Sequence, residues 1–234
     1  MIFDPLYFVF MIPGLVFSLW AQSKVKNAYQ KYSRVPNTAG VTGAQAARAV
    51  LDSSGLRDVA IEAIPGELSD HYDPRTRILR LSQGIYGVKS VAAMGVAAHE
   101  AGHAIQHKER YTALQLRTAI VPAVSIGSRF GFIVLILGLL IGVTELAWAG
   151  VALFALTTVF AFITLPVEFD ASKRAKAALV SVGLVDGGVA GGAESKGVSS
   201  VLDAAAWTYI AGLVASILSL LYWVSLVSGG GRRR

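Results

Sequence analysis

Four apolar runs set the layout of the chain, and the residues between them are polar. The first, 5–21, is apolar apart from Ser18, and its 17 residues lie at the short end of what crosses a bilayer. The second, 118–144, is interrupted by Pro122 and Arg129, which leaves 130–143 as its clean portion. Glu145 then reads as a short outer turn before the third run, 146–167. The fourth, 207–227, carries Trp207, Tyr209, Tyr222 and Trp223 near its ends, where aromatic rings anchor a span at the headgroup level. The pattern predicts four membrane helices, the middle two forming a hairpin.

The polar stretches carry shorter periods. Thr42 is placed to cap a helix over 42–54, in which Ala44, Ala46, Ala47, Val50 and Leu51 form the apolar face and Gly55 the stop. Alternation over 59–64 predicts a strand. The segments 68–72 and 77–81 flank Asp73-Pro74-Arg75-Thr76, a turn that Pro initiates, so they predict a hairpin with Arg75, Arg77 and Arg80 mostly on its outer face. Ser90 caps a further helix that runs to about His107. The Gly-rich stretch 183–197 predicts a mobile loop. The expected organisation is an anchor over 1–22, a polar domain over 23–117, a transmembrane hairpin over 118–167, a polar segment over 168–206, and a last span with a basic tail over 207–234.

Composition agrees with a membrane chain: 54% of the 234 residues are hydrophobic. There is no cysteine, which excludes a disulfide scaffold and leaves His, Asp and Glu to hold any metal. The net charge is +6, and 13 of the 21 basic residues fall within 22–117. Lys24, Lys26, Lys31 and Arg34 follow the first apolar run, whereas a signal peptide carries its charge ahead of one. This predicts an uncleaved anchor with its N-terminus outside and the polar domain in the cytoplasm. It points to anionic lipid as the partner of the basic residues, not nucleic acid. Four spans leave Arg232, Arg233 and Arg234 on the outer side, against the positive-inside tendency.

The candidate chemistry is concentrated in Val96-Ala97-Ala98-His99-Glu100-Ala101-Gly102-His103-Ala104-Ile105. Residues four apart share a helix face, so His99 and His103 can close on one zinc ion. Glu100 is then placed to take a proton from a water at the metal. A buried Glu among small residues is costly without a partner, and a metal supplies one. A catalytic zinc needs a third protein ligand. His107 shares the face but lies about 12 Å along the axis from His99. The metzincin extension fails, because Gln106 and Glu109 stand where Gly and His are needed. The hairpin of spans returns the chain to the same membrane side at about residue 167, which makes Glu168 the expected third ligand, with Asp170 the alternative. A helix-start Glu, solvated and favoured by the dipole, is the competing account of Glu168. His71 and Asp73 form a second polar cluster, either a strand edge that stabilises an oxyanion or binds substrate, or an Asp-Pro turn. Among these, His71 is retained with Glu100 as a catalytic candidate.

Four stretches in combination resemble the YugP-like neutral zinc metallopeptidases. They are Leu68-Ser69-Asp70-His71-Tyr72-Asp73-Pro74-Arg75, Leu79-Arg80-Leu81-Ser82, the motif extended to Gln106, and Leu165-Pro166-Val167-Glu168-Phe169-Asp170-Ala171-Ser172. Leu202-Asp203-Ala204-Ala205-Ala206-Trp207-Thr208-Tyr209 fits as well. The resemblance implies a bacterial-type membrane peptidase of gluzincin kind, with His99, His103 and Glu168 as ligands and Glu100 as base. The layout is also similar to the HtpX-like membrane peptidases, in which Glu-x-x-x-Asp follows the spans. Ser172 stands here at the Asp position, so the carboxylate that would orient a ligand is missing or comes from elsewhere.

The reading is therefore an α-helical integral membrane protein with about four spans and a small α+β zincin-like domain at the membrane surface. Its expected activity is peptide-bond hydrolysis with one Zn2+ per chain, at the cytoplasmic face of the cell (inner) membrane. The expected partners are a peptide or membrane-protein substrate and the lipid bilayer, with no nucleic acid, and a homo-oligomer is admitted. Two other readings compete. One is a non-catalytic scaffold or assembly factor with a structural metal, which has no need of Glu100. The other is an intramembrane protease, against which the Ala/Gly-rich motif helix and the bracketing Lys89 and Lys108 argue.

Overall fold

The computed structural model describes residues 4–187 and 192–230. The elements are helices α1 (Pro5–Tyr32) and α2 (Gly43–Ser53), strands β1 (Ala60–Ile64), β2 (His71–Asp73) and β3 (Ile78–Ser82), then helices α3 (Gln83–Tyr86), α4 (Val91–Lys108), α5 (Thr112–Ile141), α6 (Thr144–Ser181) and α7 (Ala193–Gly230). Helices α1, α5, α6 and α7 are long and apolar enough to cross a membrane. The protein is a helical membrane protein with a small α+β domain.

The chain divides into two units. The apolar unit holds Met1–Gln22, Gln115–Pro166 and Thr208–Arg234. Its outer faces carry large exposed side chains such as Val9, Leu15, Phe132, Leu140 and Phe162, as expected of surfaces that meet lipid. Helices α5 and α6 pack backbone to backbone: a Cβ on Gly138 would lie 2.3 Å from the Ala147 nitrogen, and one on Gly150 2.3 Å from the Leu135 nitrogen. Their turn falls at Gly142, with φ +74, and Glu145 belongs to the first turn of α6. This corrects the expected turn at Glu145, whose charge suits a helix N-terminus.

The polar unit holds Ser23–Leu114 and Val167–Trp207. Its core is built around α4, with Leu51, Leu79, Leu81, Ile85, Met94 and Leu179 buried about it. Thr42 caps α2 through a capping box with Gln45, and the Ser90 hydroxyl accepts from the Ala93 N–H at the start of α4. Strand order is β1-β3-β2. The β2–β3 pair is the expected antiparallel hairpin. The segment 59–64 supplies β1, which joins β3 in parallel with Ala60 opposite Ile78. Asp70 pins the hairpin by accepting from the Ser82 N–H at 2.7 Å.

All four long helices outrun their apolar segments at one end or both, α5 by beginning at Thr112. Helix α1 continues through Lys24, Lys26 and Lys31, which are good helix formers. Helix α6 continues past Pro166 to Ser181. Helix α7 begins at Ala193, so 193–197 is helical and the expected loop over 183–197 is shorter on that side. Positions 188–191 of that loop, and the arginine tail, lie outside the described residues.

Candidate metal and catalytic site

Helices α4 and α6 build the site. Small residues on α4 explain how closely they meet. A Cβ on Gly102 would lie 2.6 Å from the carbonyl oxygen of Ala171. With hydrogen there, Gly102 lets α4 reach the backbone of α6 one turn from Glu168 on one side and next to Ser172 on the other. The alanines at 97, 98, 101 and 104 are fully buried in the core of the polar unit.

Across this seam His99, His103 and Glu168 bring their ligand atoms within 4.8 Å of one another. His99 Nε2 lies 3.2 Å and His103 Nε2 3.5 Å from Glu168 Oε2. The imidazoles are 14% and 12% exposed while Glu168 is 3% exposed, so the cluster opens on its histidine side. The two rings stand edge to face with centroids 4.8 Å apart. A tetrahedral zinc with bonds of about 2.0–2.1 Å holds its ligand atoms roughly 3.3 Å apart. Two imidazole nitrogens and a carboxylate oxygen suit a zinc ion in donor type, and the two imidazole–carboxylate separations of 3.2 and 3.5 Å match that spacing.

Each histidine of the cluster has a neighbour on its far side. His99 Nδ1 meets the Ser172 hydroxyl at 3.1 Å. His103 Nδ1 meets Gln106 Oε1 at 3.0 Å. Burial opposes charge on His103, but the hydrogen bond to Glu168 and the negative charges of Glu100 and Glu168 outweigh it, and its pKa rises above the ordinary histidine value.

Glu100 is buried on α4 beside the cluster. Its Oε2 accepts from the Tyr72 N–H at 3.1 Å, which ties the motif helix to strand β2. The Tyr72 hydroxyl also meets His107 Nδ1 at 2.9 Å. His107 is thus a helix-end residue outside the cluster, engaged by the hairpin. Burial raises the Tyr72 phenol pKa, against the influence of Arg77.

His71, also on β2, is exposed, and its Nδ1 meets the Ser69 carbonyl at 2.8 Å. It stands outside the three-residue cluster. Asp73 closes the hairpin turn, where its carboxylate accepts from the Thr76 hydroxyl at 2.8 Å and the Arg75 N–H at 2.9 Å. These bonds push its pKa down to about 2. Asp170 pairs with Arg174 and accepts from Gln106, and it is outside the cluster as well.

Sequence reasoning missed two participants. Gln106 is fully buried beside His103. It lies three residues past His103, on the neighbouring turn of one helix face, and that spacing was the available signal. Tyr72 joins the site through its backbone, which no side-chain pattern announces.

Comparison with known proteins agrees with this geometry. Residues 7–228 match the family described as "Putative neutral zinc metallopeptidase". The chain is 45% identical over 224 residues to a protein of Bacillus subtilis (strain 168) named "Putative membrane protease YugP", covering 95% of this chain and 97% of that one. No solved structure matches. The chain belongs to this zinc metallopeptidase family.

Proposed function

We propose, from that membership and from the α4–α6 seam, that the protein is a membrane-embedded zinc endopeptidase. His99, His103 and Glu168 hold the ion, and Glu100 is the general base. The observation that carries the reading is the convergence of three ligand atoms of zinc-binding type within 4.8 Å, with a buried carboxylate one residue from the first of them. A structural site has no use for that carboxylate.

A zinc ion held there would supply Lewis acidity toward the scissile carbonyl and bring the pKa of water toward neutrality. The remaining work belongs to the chain's own groups. Glu100 takes the proton of the attacking water and returns it to the leaving amine nitrogen. The Tyr72 N–H holds one oxygen of that carboxylate, leaving the other free to move the proton. Strand β2 is an edge of the sheet, where an extended substrate can add as a further strand. His71 is assigned to that substrate-facing edge, as a contact for the peptide backbone or the developing oxyanion.

The site faces the cytoplasm in this reading, because the basic residues after the first apolar run favour that side. The substrates that suit it are membrane-protein segments and loosely folded chains. The test is the Glu100→Gln protein purified in detergent. It should retain one zinc per chain and lose at least about 10²-fold in peptide turnover. Full turnover in that variant would end the proposal. A wild-type chain that binds zinc yet cleaves no peptide, with or without chelator, would favour the scaffold reading.

A further inference from the structure

Gln106 occupies a position that the proposed hydrolysis does not itself require. It is fully buried, one helical turn past His103. Both ends of its amide are engaged. Nε2 donates to the Val167 carbonyl at 2.8 Å and to Asp170 Oδ2 at 2.8 Å. Oε1 meets His103 Nδ1 at 3.0 Å.

These partners fix the amide's orientation. Were it reversed, its oxygen would face a carbonyl and a carboxylate, two acceptors with no proton between them. That arrangement would leave buried acceptors unpaired, at a cost of several-fold to a hundredfold in equilibrium terms. With the orientation fixed, Oε1 is an acceptor, so His103 Nδ1 must carry a proton and donate it. The neutral ring then has its lone pair on Nε2, the atom 3.5 Å from Glu168 Oε2.

The two acceptors that hold the amide flank Glu168 on α6, one residue before it and two after. One side chain therefore locks the ring of the second histidine and grips the turn of α6 that carries the third ligand. Asp170 is itself held by Arg174, which also pairs with Glu109 just beyond α4 and lies with its guanidinium 5.8 Å from the Tyr111 ring centroid.

We infer that Gln106 is a positioning residue for the metal site. It sets the Nδ1–H tautomer of His103 and the spacing of His103 from Glu168, while Asp170 and Arg174 hold it in place. Asp170 thus serves the site at one remove, through Gln106, and not as a ligand. The inference rests on the zinc reading above, and the following experiment separates the two.

Full-length protein carrying Glu100→Gln is purified in detergent, so that turnover plays no part. Zinc affinity is measured by competition with a chromophoric chelator. Cobalt(II) is used as a spectroscopic stand-in, because its d–d bands report ligand geometry. Gln106→Leu, nearly equal in volume, should weaken zinc binding about 10–100-fold and change the cobalt bands. Asp170→Asn keeps an acceptor for Gln106 and should stay within about threefold of the parent, whereas Asp170→Leu should fall well below it.

An unchanged affinity and an unchanged cobalt spectrum in Gln106→Leu, beside tight binding in the parent, would overturn the inference and leave the zinc reading standing. A parent that binds no zinc overturns both. If Gln106→Leu loses its helical circular dichroism, the two Asp170 variants decide: equal affinities for Asn and Leu overturn the inference, and a clear gap between them supports it.

Discussion

Two helix seams in this protein are built with the same device and put to different use. In the apolar unit, Gly138 and Gly150 bring α5 and α6 together, so that an added Cβ would strike the backbone of Ala147 or Leu135 at 2.3 Å. In the polar unit, Gly102 brings α4 to α6, with an added Cβ 2.6 Å from the Ala171 carbonyl. The first seam is lined by Leu135, Ala147 and Val151, an apolar set. The second is flanked by polar pairs: His99 with Ser172, His99 and His103 with Glu168, Gln106 with Asp170. Dispersion tolerates a shift of a few tenths of an ångström. A set of ligands divided between two helices does not, because its members must meet on one point. The same residue type therefore serves packing in one seam and, under the proposed function, chemistry in the other.

The sharpest break of that contrast is the carboxylate of Glu168 on α6. Glu168→Ala should abolish stoichiometric zinc binding and reduce peptide turnover by about 10³-fold or more, because an open two-ligand site lacks the third protein donor that catalytic zinc sites share. Helical content should persist, since the side chain contributes no apolar packing. Zinc analysis after gel filtration reads the outcome directly. Retained stoichiometric zinc would move the third ligand to another residue.

The glycines give the next largest effect and compare the seams on equal terms. Alanine in a helix interior gains roughly 1 kcal/mol in propensity over glycine. At Gly102 that gain is outweighed by the clash with a carbonyl, and α4 must retreat from Glu168. A displacement near 1 Å at a reacting centre costs about 10²-fold in rate. Gly102→Ala should therefore lose activity and zinc affinity together. Gly150→Ala should lower thermal stability, at about 1–3 kcal/mol for overpacking, and leave the zinc affinity of the folded fraction intact. Gly95 is the control on α4 itself: its added Cβ would sit 3.4 Å from Val198, an ordinary contact, so Gly95→Ala should be neutral or stabilising. Equal loss of zinc at 102 and 150 would erase the distinction between the seams.

The same contrast separates what could be read in the sequence from what could not. The spans, the caps at Thr42 and Ser90, and the hairpin about Pro74 follow from local periods and turn chemistry, and they stand in the fold. His99 and His103 follow from helical spacing alone. Glu168 needed a topological argument, since 65 residues separate it from His103, and the cluster does include it. The rest depends on atoms that spacing does not specify. Hydropathy ends the third run at 167, but α6 runs on to Ser181, because Lys and Arg sustain a helix without being apolar. Gly102 read as part of a small-residue flank, and only the Ala171 carbonyl opposite shows why alanine would not do. The Glu100–Tyr72 bond is made by a backbone N–H, which every residue but proline carries.

Ser172 offers a smaller test, specific to the first histidine. Ser172 stands at the position where the Glu-x-x-x-Asp pattern of similar membrane peptidases has its Asp. The serine hydroxyl reaches His99 Nδ1 at 3.1 Å from the equivalent position and is 7% exposed. Ser172→Ala should weaken zinc binding by roughly tenfold, the lower end of what a lost outer partner costs. Ser172→Asp should bind zinc at least as well as the parent, since a carboxylate is the stronger acceptor for the ring N–H. If alanine matches serine, the hydroxyl is a packing group and His99 is oriented by its neighbours alone.

Asp73 gives the smallest effect and lies outside both seams, in the hairpin whose strand β2 reaches Glu100. Its carboxylate is held down to about 2 by the Thr76 hydroxyl and the Arg75 N–H, with Arg80 adding to them. The sign follows from linkage: a carboxylate with a folded pKa below its unfolded value stabilises the fold above the unfolded value, near 3.9, and loses that contribution as pH falls through the folded one. An asparagine side chain keeps one acceptor oxygen and gives up the charge. Asp73→Asn should therefore unfold at slightly lower urea from pH 7 down to about 5, and the gap from wild type should close between about pH 4 and 2. Zinc affinity should not change at any of these values where zinc still binds, because the turn bears on the site only through the Tyr72 backbone. A fall in affinity would mean that the hairpin, and not the α4–α6 seam alone, sets the position of Glu100.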